Sequence, residues 1–188
     1  SRSFLRPEFG QYEVNGVAMH YASVGHDSLP LLLLIHGAPG AWYGYLKQME
    51  DTTLQKRFHI VSVDRAGYGK SGFGKAVTSI KHQAELIEPL LSKYSKKAKA
   101  IVIGRSFGAP VAAKIVAENN DKVKSLILIG ADMDPDKEKF WWFSKLANTK
   151  LAKMILPKEF NVATDEKFSR PKELEKVKHD WAKIMVPV

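Results

Sequence analysis

Gly104-Arg105-Ser106-Phe107-Gly108 sets a serine between two glycines, after a short apolar run and before a helix-like one. A serine on a strained strand-to-helix turn presents its hydroxyl at a helix N-terminus, where free N–H groups and the helix dipole favour developing negative charge. The glycines of such a turn leave room for the strand and helix to approach closely. Pro110 falls in the first helical turn, where a missing N–H costs nothing. The chemistry expected is nucleophilic attack by the Ser106 hydroxyl on a carbonyl.

Two further turns follow apolar runs. His36-Gly37-Ala38-Pro39-Gly40 ends Leu31–Ile35, and a turn there aims a backbone amide back at the serine. Ala38 N–H and Phe107 N–H would then form a two-donor oxyanion hole. His36 is read as a structural hydrogen-bonding group rather than a base. Asp64-Arg65-Ala66-Gly67-Tyr68-Gly69-Lys70-Ser71-Gly72 follows His59–Val63. Its glycines suit positive φ or close approach, and its spacing does not match a phosphate-binding P-loop. Asp64 and Arg65 are read as fixing that loop.

The elements that must hold these turns follow from patterning. Asn15-Gly16 between Gln11–Val14 and Val17–Ser23 predicts a type I′ hairpin. Leu31–Ile35, His59–Val63, Ala100–Ile103 and Ser125–Ile129 are short apolar runs suited to strands buried on both faces. Helix-like stretches at Trp42–Glu50, Ser79–Tyr94 and Phe107–Asn119 alternate with them. The fold class is α/β: an antiparallel hairpin, then parallel strands with helices on both faces. After Gly130 the pattern breaks, and Phe140–Leu156 and Glu173–Trp181 read as helices. Ile184–Val188 reads as the start of a returning strand.

These three motifs, in this order, resemble those of the α/β-hydrolase superfamily. His36–Gly40 is similar to its oxyanion turn, Asp64–Gly72 to its D-x-x-G-x-G-x-S loop, and Gly104–Gly108 to its nucleophile elbow. The narrower resemblance is to bacterial single-domain hydrolases with a helical cap. It implies an α/β-hydrolase core over 1–130, a cap over 131–182, and a returning core strand from 183. Trp141 and Trp142 would line an apolar or acyl substrate pocket, together with Phe143 and Leu146. Epoxide hydrolases and haloalkane dehalogenases of this fold carry aspartate at the elbow, so Ser106 points instead to acyl transfer. Arg105 precedes the nucleophile where relatives commonly have histidine, and its side chain is read as turned away from the pocket.

The resemblance places the triad acid and histidine after late strands. None of His20, His26, His36, His59, His82 and His179 follows one, so both partners are expected beyond Val188, with the C-terminal strands missing from this chain. Asp134 is an alternative acid, although Asp134-Pro135-Asp136 reads more readily as a turn and helix cap. Ser106 without its base is a weak nucleophile. The leading function is therefore a serine hydrolase acting on an ester, lactone, thioester or activated C–C bond. The alternative is a non-catalytic protein of this fold that binds a small ligand or partner.

Composition narrows the field. The 188 residues include no cysteine, which excludes a thiolate metal site and a cysteine nucleophile. No metal or cofactor is implied. The net charge of +9 invites a nucleic-acid reading. Its one dense run, Lys93, Lys96, Lys97 and Lys99, sits where a helix end favours cations, and no nucleic-acid-binding motif accompanies it. Apolar runs are too short for an integral membrane span. The substrate class implied is a small apolar or acyl molecule.

Overall fold

A computed structural model describes residues 5–131, 133–137 and 147–188. Six strands form one mixed sheet in the order β1-β2-β4-β3-β5-β6. β1 (Glu8–Val14) and β2 (Val17–Val24) make the expected hairpin. Asn15 and Gly16 have φ of 52° and 73°, the double positive φ that a type I′ turn requires. β2 runs antiparallel to β4 (His59–Val63). β4, β3 (Leu31–Ile35), β5 (Ala100–Arg105) and β6 (Val123–Ile129) are mutually parallel.

β3 shows why the central runs lack polar alternation. Leu31, Leu33 and Ile35 enter one apolar cluster, and Leu32 and Leu34 enter another on the opposite face. The first cluster is closed by α3 (Ile80–Tyr94) and α4 (Gly108–Glu118). The second is covered by a 3₁₀ turn at Trp42–Tyr45 and by α1 (Leu46–Glu50). A short α2 (Thr52–Gln55) follows, which the pattern did not predict; the Asp51 carboxylate caps it by accepting from Thr53 N and Leu54 N. Ser79 likewise caps α3 by accepting from His82 N.

Beyond β6 the described elements are helical. A 3₁₀ turn at Pro135–Lys137 precedes α5 (Lys150–Ile155) and α6 (Lys158–Val177), and another 3₁₀ turn covers Lys178–Lys183. α6 is longer than its sequence pattern indicated and begins well before Glu173. Val162, Glu166, Glu173, Leu174 and Val177 form its buried stripe, at helical spacing.

Ile184–Val188 corrects an expectation, because it is not a strand. Its segment touches β6 through one backbone bond, Leu126 N–H to Pro187 O at 3.0 Å, while Met185 N–H donates to Asn120 Oδ1. Pro187 has no N–H to continue a ladder. Among the described residues no helix is long and apolar enough to cross a membrane.

Candidate active site

In a parallel sheet, ligands bind beyond the carboxyl ends of the strands where the strand order reverses. That point here lies between β3 and β5. The chain leaves β3 toward β4 on one side, and leaves β5 toward β6 on the other. The His36–Gly40 turn and the Ser106 elbow meet there.

Ser106 has φ of +50°, and with Asn15 it is one of two non-glycine residues with positive φ among those described. Holding an L-residue there costs about 1–2 kcal/mol. Close packing enforces it. A Cβ on Gly104 would stand 2.5 Å from Gly108 O and 2.6 Å from Ala112 Cβ. A Cβ on Gly108 would stand 2.5 Å from both Ile35 O and His36 O. Both glycines are therefore required by backbone contact. The Ser106 amide is anchored to Ile129 O at 2.9 Å, and Phe107 is the N-cap residue of α4.

The His36–Gly40 turn lies directly against the serine, since a Cβ on Gly37 would sit 3.0 Å from Ser106 Cβ and 3.6 Å from Oγ. A cavity of about 230 Å³ opens between them, lined by residues 36–40, Gly44, Tyr45, Arg105 and Ser106. Arg105, the last residue of β5, also borders the cavity. A larger hollow of about 780 Å³ lies beside His59, Lys93 and Tyr94. His59 begins β4 whereas the three turns follow strand ends, so this hollow contains no part of the elbow.

His36 is structural, as its sequence context suggested. Its Nε2 accepts the Arg65 amide at 3.0 Å and its Nδ1 bonds Gly37 O at 2.6 Å, so Nδ1 carries the proton. Burial, with the Arg65 guanidinium beside it, holds its pKa well below the usual histidine value. Asp64 is also a framework group. Its carboxylate accepts from Trp42 N at 2.8 Å and Lys70 N at 3.0 Å, and bonds His20 Nδ1 at 2.8 Å. A Cβ on Gly69 would collide with that carboxylate at 2.1 Å, so only glycine fits.

Arg65 proved to be more than a loop anchor. It is fully buried, and its guanidinium donates to Glu166 Oε1 at 2.6 Å and Oε2 at 3.0 Å. Tyr68 OH and Gln83 Nε2 also donate to Glu166, at 2.7 and 2.8 Å. Burial alone would lower the guanidinium pKa, but the Glu166 carboxylate and Tyr68 more than offset it and leave it raised. Sequence reading missed Glu166. The available signal was a carboxylate on the apolar stripe of a helix, one turn after Val162.

Asp134 Oδ1 accepts the Asp136 amide at 3.0 Å, the turn-capping geometry. Trp141, Trp142, Phe143 and Leu146 lie outside the described residues. Among the described residues no group of three histidine or acidic side chains is arranged to hold a metal.

A family model described as alpha/beta hydrolase fold matches residues 30–176, the stretch that carries all three turns. The chain belongs to this family. This α/β hydrolase is 29% identical over 117 residues to the AB hydrolase superfamily protein YfhM of Bacillus subtilis (strain 168), covering 61% of this chain and 40% of that protein. It is 37% identical over 73 residues to epoxide hydrolase 3 of Mus musculus, covering 39% of this chain and 19% of that one. Its fold matches the crystal structure of haloalkane dehalogenase DbeA from Bradyrhizobium elkani USDA94 with a TM-score of 0.71 at 17% identity, covering 95% of this chain and 74% of that one. The α/β hydrolase chain thus spans 40% or less of the length of these two curated relatives.

Proposed function

We propose that the protein is a serine hydrolase that cleaves an ester, lactone, thioester or activated C–C bond through an acyl-enzyme. The observation that carries this reading is Ser106, held at φ of +50° against Gly37 at the mouth of a cavity of about 230 Å³. The branches of the family that open epoxides or cleave carbon–halogen bonds are expected to have aspartate at the elbow, and serine stands here. Ser106 Oγ attacks the substrate carbonyl, while Ala38 N–H and Phe107 N–H hold the oxyanion. Residues 131–182 act as a cap that shapes a pocket for a small apolar or acyl substrate.

The mechanism needs a general base to take the Ser106 proton and an acid to orient it. His36 borders the cavity, but both of its ring nitrogens are committed. The proposal therefore draws the base and acid from elsewhere in the complete gene product. A fluorophosphonate probe on that product tests the reading. Labelling at Ser106, lost in Ser106→Ala, is expected; a well-folded protein that resists labelling overturns it and favours a ligand-binding role.

A further inference from the structure

We propose that Glu166 is a positioning residue for the oxyanion hole, acting through Arg65, so that helix α6 sets the aim of the Ala38 amide. The inference rests on the serine-hydrolase reading of the site and adds a residue from outside its three turns.

The argument starts from one peptide plane. Gly37 C=O and Ala38 N–H belong to the same trans peptide, so they point in opposite directions. Whatever grips Gly37 O fixes where Ala38 N–H points. Two groups grip it: the Arg65 Nη2 donor at 3.1 Å and His36 Nδ1 at 2.6 Å. Arg65 Nε also donates to His36 O at 2.8 Å, so one guanidinium holds two successive carbonyls of the turn. The same guanidinium lies 4.9 Å from the centroid of the Phe107 ring, on the residue that supplies the second oxyanion donor. Both halves of the hole therefore rest on Arg65.

A guanidinium buried this deeply holds its position only if its charge is matched. Glu166 supplies the match with both carboxylate oxygens, and it is itself fully buried. Tyr68 and Gln83 donate to the same carboxylate and fix its rotamer. Gln83 also accepts from Arg65 Nη1 at 2.6 Å. Glu166 reaches this point from α6, which packs on the glycine loop where a Cβ on Gly67 would meet Val162 Cγ1 at 2.9 Å. Displacing α6 therefore withdraws the counter-charge that orients the turn. The geometry makes the hole responsive to whatever docks on or moves α6.

The test uses the complete gene product with Glu166→Gln and, as a milder change, Tyr68→Phe. Amide resonances of Gly37, Ala38 and Phe107 are followed by NMR, and the rate of Ser106 phosphonylation is measured. Glu166→Gln is expected to shift the Ala38 resonance, leave those of β4 in place, and slow phosphonylation about tenfold or more, since a whole oxyanion donor is worth about 10²–10³. Tyr68→Phe is expected to act in the same direction by a smaller amount, and it decides the matter should Glu166→Gln fail to fold. An unmoved Ala38 resonance with an unchanged rate overturns the inference. So does a shift spread equally across the sheet, which would mark a merely structural pair. If the parent protein does not label at all, the serine reading fails, while the Ala38 resonance still decides the coupling.

Discussion

Replacing Gly108 by alanine tests the packing that builds the elbow. The new Cβ would lie 2.5 Å from the carbonyl oxygens of Ile35 and His36, about 0.9 Å inside the 3.4 Å at which ordinary contact begins. Both obstacles are backbone atoms, one in β3 and one at the start of the His36–Gly40 turn, so no side chain can rotate away. α4 must retreat from β3 by most of that distance. Overpacking of this kind costs about 3 kcal/mol, the upper end of the usual range, because nothing soft absorbs it. For a domain of this size that is a Tm loss of about 6–12 °C. The retreat also carries Ser106 and Phe107 away from Gly37. A displacement near 1 Å in a reacting group costs about 10²-fold in rate. The assay is urea unfolding together with phosphonylation of Ser106. Gly44→Ala is the control: it lines the same cavity, yet a Cβ there meets nothing within 4 Å. It should leave stability within about 0.5 kcal/mol or raise it slightly. Equal urea midpoints and labelling rates for the two variants would refute the reasoning.

Arg65→Met strands the Glu166 carboxylate in the core beside Tyr68 and Gln83, and should destabilise by about 3–5 kcal/mol in chemical denaturation. Ser106→Gly removes the cost of a positive φ and should raise unfolding stability by about 1 kcal/mol, whereas an unchanged midpoint would mean the turn is unstrained. His36 and His59 both have pKa values lowered from 6.5, chiefly by burial, so the unfolded chain takes up protons that the folded chain refuses. Their stabilising contribution is complete above the unfolded pKa and declines as pH falls below about 6.5, with a slope of at most about 1.4 kcal/mol per pH unit for each histidine. Urea titrations between pH 7.5 and 5.5 (a range of about two units, above most carboxylate titration) read that slope; a flat profile contradicts the assignment of neutral buried histidines.

Legibility followed the range of the interactions. The Asn15-Gly16 hairpin and the bounds of β3 and β4 came directly from the sequence, since turn chemistry and two-sided burial are written in adjacent residues. α6 did not, because Pro157, Pro171 and many charged residues mask a stripe that only its packing on the core reveals. Ile184–Val188 looked like a strand by composition, yet a strand is a pairing, and β6 offers it a single backbone bond.

The same division runs through the site. Sequence alone determined the serine between its glycines, the turn that faces it and the glycine-rich loop between them, because each depends on residues within a few positions. Tertiary structure decided which atoms enforce them. Gly108 is constrained by carbonyls more than 70 residues away, and Arg65 is matched by Glu166 at a separation of 101 residues. No local pattern encodes such contacts, since a buried charge acquires its partner only when distant helices and strands close over it.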